Sequence, residues 1–138
     1  LSRPLDLPLR FPLASLKSES FAAPGAMVRV EPLPGHPLML GIDEPFPAMV
    51  QGNNAFAVRS PADASVIAAR FAATAPVVSG WMRGEELLKR RGAITDIPIG
   101  KGRVVAFAFR PHFRTQMLAS YTPLVNAIMG AGHEEITT

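Results

Sequence analysis

Cysteine does not occur in this chain of 138 residues, and Trp81 and Tyr121 are its single tryptophan and single tyrosine. The lack of thiols excludes disulfides, thiolate metal sites and cysteine nucleophiles together. It leaves the redox compartment open, because a cysteine-free domain is stable in either setting. No apolar run approaches the roughly 18 residues that a membrane helix requires, so no membrane span is expected. Charge is also sparse, at 18% of residues, with a net charge of +3 spread along the chain. A dedicated nucleic-acid binder concentrates Lys and Arg with aromatics on one face, and that pattern is missing. The densest basic run, Lys89-Arg90-Arg91, reads as the solvated end of a helix. The chain opens on Leu1 rather than Met, which points to a piece of a longer protein, so the lack of a signal peptide carries no information.

What the chain does have is apolar residues, at 48%, punctuated by 14 prolines and 11 glycines. That composition suits one compact domain with a real core, built from short elements. Residues 1–23 differ from the rest. Pro4, Pro8 and Pro12 alternate with Leu1, Leu5, Leu7, Leu9 and Leu13, a spacing that forbids a helix and favours extended chain. So many leucines predict an arm lying across an apolar surface. Residues 24–132 form the expected single domain, and residues 133–138 a loose tail.

Strands are expected over Met27–Val30, Ala55–Val58 and Ala64–Phe71, the last apolar on both alternating faces and therefore covered on both sides. Glu85 to Arg91 reads as a short helix with acidic residues first and basic residues last, stopped by Gly92. The clearest pair is Ala93–Ile99 with Arg103–Phe109, joined by Gly100-Lys101-Gly102 as a hairpin turn. Both faces of Arg103–Phe109 are apolar, which predicts a central strand paired on both edges. Met117, Tyr121, Leu124 and Ile128 recur at helical spacing. Pro123 suits a first turn with Thr122 as N-cap, so the firm helix is expected from Pro123 to Met129, ended by Gly130 or Gly132. The fold class is α/β with α+β character: a mixed, largely antiparallel sheet with a few short helices.

Catalytic equipment is scarce. Gly100-Lys101-Gly102 is too short for a phosphate loop and is followed by a strand rather than a helix. The three histidines, His36, His112 and His133, have no ligating partner at His-x-x-Glu spacing. No metal or other cofactor is therefore expected in this chain. Ser79 lies near the turn-forming Gly80 but has no local group to activate it, and Trp81 beside it reads as a core or interface aromatic. Asp43, Glu44 and Asp96 lack the pairing that general acid–base chemistry needs. One polar cluster, Arg110-Pro111-His112-Phe113-Arg114, follows a strand end, where binding sites tend to lie. Arg110, His112 and Arg114 are thus the candidate ligand-binding residues. Arg110 and Arg114 either hold an anion or pair with carboxylates and cap carbonyls to pin the final helix.

Taken in order, several of these segments resemble one family. Pro24-Gly25 before a Val-Arg-Val strand, His36-Pro37-Leu38 with Gly41, Ser79-Gly80-Trp81 with Gly84, Pro98 to Val105, Phe109-Arg110-Pro111, Arg114 and Asn126-Ala127 are similar to the class I glutamine amidotransferase-like domain that follows the peptidase domain in bacterial M14 zinc carboxypeptidases. The similarity spans about Pro24 to Met129. It implies the later part of a flavodoxin-like domain, whose earlier parallel half and whose peptidase lie outside this sequence. It implies a non-catalytic accessory role beside a secreted or periplasmic metallocarboxypeptidase, with zinc only in the parent's peptidase domain. The partner is then that domain, and exposed apolar edges make a homo-oligomer a further expectation. The alternative is an independent ligand- or protein-binding domain that uses Arg110 and Arg114 to hold an anionic group.

Overall fold

The computed structural model describes residues 6–115 and 118–131. Its centre is the long strand β2 (Ala22–Pro32), after a short β1 (Leu9–Arg10). β3 (Phe46–Val50) pairs with one edge of β2. The other edge is shared: β5 (Ile67–Phe71) takes its C-terminal end and β6 (Val77–Arg83) its N-terminal part. Between β5 and β6 the chain steps out of the sheet and returns, with Ala72 N donating to Arg29 O and Arg29 N donating to Pro76 O. β7 (Gly92–Ile99) pairs with β5, and β8 (Gly102–Phe107) pairs with β7. Every pairing is antiparallel. The sheet then curls until Arg110, just beyond β8, bridges Met49 of β3, with Arg110 N donating to Met49 O at 3.0 Å.

This curled sheet is what the two-sided apolar pattern of residues 64–71 becomes. Ala68 and Ala69 alternate in direction yet both are fully buried, as are Val28, Val30, Ala48, Val50 and Ile94. Small alanines let the sheet bend tightly, and each large side chain enclosed, such as Phe71 or Leu13, contributes about 1.5–3 kcal/mol. The expected strand there is shorter than its apolar run, because residues Pro61–Val66 wind into 3-10 turns capped by Ser60 Oγ, which accepts from Ala62 N.

The N-terminal arm is built into this core. Leu9, Leu13 and Phe21 are buried, and β1 pairs with β4 (Ala57–Val58). Phe56 in turn bridges Gly92, where an added Cβ would lie 2.8 Å from Ile67 Cδ1. Gly92 is therefore the first residue of β7 and admits a close crossing, rather than capping a helix. The expected helix before it is a single 3-10 turn, Glu85–Leu87.

Two further expectations change. β8 pairs only with β7 among the described residues and is half-buried to exposed, so it is an edge strand and not a central one. Its apolar residues are only partly buried, with Val105, Ala106 and Phe107 packed against the core. The final helix α1 runs Leu118–Gly130, with Pro123 inside it rather than at its start. Side chains hold the first turn where Pro123 cannot donate. Ser120 Oγ donates to Pro111 O at 2.8 Å and Tyr121 Oη to His112 O at 3.2 Å. Among the described residues no helix is long and apolar enough to cross a membrane. The expected tail, residues 133–138 with His133, lies outside the described residues, as does Met117.

Candidate functional site

The hairpin β7–β8 places two opposite charges together. Ile99 pairs with Gly102, so Asp96 lies across from Val105, and Arg103 lies two residues along on the same face. Diagonal neighbours of this kind are within reach of long side chains. Arg103 Nε donates to Asp96 Oδ1 at 2.9 Å, and Nη2 donates to Oδ2, a two-pronged pair. Asp96 is 8% exposed and Arg103 35%. Arg103 Nη1 lies against Gly130, the last residue of α1, where a cation complements the helix dipole.

His36 completes the cluster from a distant segment. It is the N-cap of the 3-10 turn Pro37–Met39, and its Nδ1 accepts from Leu38 N at 3.2 Å. That bond leaves the proton on Nε2, which sits 3.8 Å from Asp96 Oδ2. Burial holds the His36 pKa below its ordinary value of 6.5; Asp96 opposes this and Arg103 reinforces it.

Two concavities meet at His36. One, of about 500 Å³, is an open concavity formed by the single loop 32–43, with Leu33, Met39, Leu40 and Ile42 on its walls. The other, of about 890 Å³, is lined by His36, Ser65, Asp96, Lys101 and Arg103, together with Val66, Pro98, Gly102, Gly130 and Ala131. Ser65, His36 and Asp96 share this cleft, yet they do not form a nucleophilic relay. The relay needs one imidazole nitrogen on the acid and the other free to take the serine proton. Here Nδ1 is spent on a backbone N–H, and Nε2 faces Asp96. The cleft is equipped to donate hydrogen bonds and positive charge.

The residues singled out from sequence lie elsewhere. Arg110, His112 and Arg114 are all exposed, and none lines either concavity. Arg114 takes a left-handed φ of 46° and sets its guanidinium 5.3 Å from the Phe113 ring centre. Among the described residues no carboxylate pairs with Arg110 or Arg114. The loop does pin α1, but through the carbonyls of Pro111 and His112. Trp81 is 54% exposed beside Arg83 and is no part of the core. Among the described residues no three His, Asp or Glu side chains gather as a metal site.

The Asp96–Arg103 pair could have been found from the hairpin register. Nothing local to His36 announced it. No family model matches the chain, and neither the curated proteins nor the solved structures give a match.

Proposed function

We propose that this chain is a non-catalytic accessory domain of a larger M14-like metallocarboxypeptidase, acting by holding the zinc-dependent peptidase domain in place. In this reading it is the later, antiparallel part of an amidotransferase-like domain in a secreted or periplasmic parent. The observation that carries the reading is where the family-like residues fall. They sit in structural joints. Asn126 clamps Leu38 and Leu40, joining segments distant in sequence. Gly80, at φ 85°, lies against Gly25, and an added Cβ would come within 3.0 Å of the Gly25 carbonyl oxygen. Gly84 packs on Ser20 in the same way, and Arg103 is spent on Asp96.

β6 offers the attachment edge. It pairs only with β2 among the described residues, and Val78 and Trp81 are half exposed on it. An unpaired edge with an exposed tryptophan suits a protein contact. Trp81 is the chain's single tryptophan, so its fluorescence reports directly on that contact. The test is to add the parent's upstream segment, recombinantly expressed, and record emission. A saturable blue shift is expected. An unmoved spectrum, or an upstream sequence without His-x-x-Glu, would remove the proposal.

A further inference from the structure

We propose that the loop 32–43 cavity and the adjoining Lys101 cleft together bind one small apolar carboxylate, its acid group at Lys101 and its apolar body within the loop. This goes beyond the accessory reading and does not depend on it.

The cavity has the size of a ligand site, which runs from roughly 300 to 1,000 Å³, and its walls are held open before any ligand arrives. Pro32, Pro34 and Pro37 fix backbone torsions around it. Leu33 N donates to Ala68 O at 3.0 Å, Ile42 N to Met39 O at 2.9 Å, and Asn126 holds the turn from outside. A preformed apolar wall binds without a large ordering cost. Leu40, on that wall, is 75% exposed, so an occupant would remove apolar surface from water.

Charge sets the direction. Asp96 is matched by Arg103, and Arg103 also faces the negative end of α1, so Lys101 supplies the unbalanced charge of the cleft. Asp43 lines the apolar cavity and disfavours an anionic group there. His36 stands on both walls and joins them, with its Nε2 turned towards Asp96. An acid with a branched or aryl body satisfies the whole set. Such a group comes either from a free acid or from the C-terminal residue of a peptide.

The experiment titrates the ¹⁵N-labelled chain with 4-methylpentanoate and its amide, and with a short peptide ending in leucine, with free and amidated C-termini. Amide shifts are expected at Gly35, Gly41, Lys101 and Gly102, with each acid bound about ten-fold tighter than its amide. The tighter of the two acids names the source. Lys101→Gln, on an exposed turn, should erase the acid–amide difference, whereas Leu40→Ala should weaken all of the probes alike. Acids and amides binding equally, shifts confined to other residues, or no saturation by about 10 mM would overturn the proposal.

Discussion

Asn126 donates from one side-chain nitrogen to the carbonyl oxygens of both Leu38, at 2.9 Å, and Leu40, at 3.0 Å. This bond pair sets the docking of α1 on the turn that also positions His36. Asn126→Ala leaves both carbonyls without their donor and should lower stability by about 1–2 kcal/mol. Urea denaturation measures this, and a loss below about 0.5 kcal/mol would show that packing alone seats the helix.

Thr95 is fully buried on β7, and its hydroxyl has no hydrogen-bond partner among the described residues. An unpaired buried hydroxyl costs about 1–3 kcal/mol, and valine keeps the shape without that cost. Thr95→Val should therefore stabilise the domain by about 1 kcal/mol. A lower melting temperature for the variant would mean that the hydroxyl has a partner.

Leu13 is 1% exposed, although it belongs to the proline-rich arm. Leu13→Ala should cost about 2–5 kcal/mol, the range for an enclosed leucine. An unchanged denaturation midpoint would show the arm to be dispensable.

The depressed pKa of His36 makes stability depend on pH. Below its ordinary value of 6.5 the unfolded chain binds the proton first, so stability is retained above that pH and lost as pH falls towards the lower folded value. His36→Asn keeps an acceptor for Leu38 N but cannot titrate. Between about pH 7.5 and about pH 5.5 the variant's denaturation midpoint should fall less than that of the parent chain. Equal slopes would show that His36 titrates as it does when unfolded.

Much of the fold was legible where a signal was local. The β7–β8 hairpin follows from its glycine turn, and the buried character of Ala68 and Ala69 follows from an apolar run without alternation. What was not legible depends on distant contacts. β8 carries apolar residues on both faces although it is a partly buried edge strand, so its pattern imitated a central strand. Pro123 marked a helix start by local rule, but Ser120 and Tyr121 stabilise a turn before it through carbonyls the sequence does not link to them. β3 contains Pro47, which hides a strand that pairs with β2. The site follows the same division. Asp96 and Arg103 are joined by hairpin register, whereas His36 arrives by tertiary folding alone.

The bridge from Met49 to Arg110 also has a bearing on synthesis. As the chain leaves the ribosome, β3 can pair with β2 early, but its outer edge must wait for Arg110 to emerge. Throughout that interval an unprotected strand edge is open to pairing with another nascent chain. Closure of the curled sheet therefore ends a vulnerable period as well as completing a structure, and conditions that slow elongation between β3 and β8 should favour aggregation over folding.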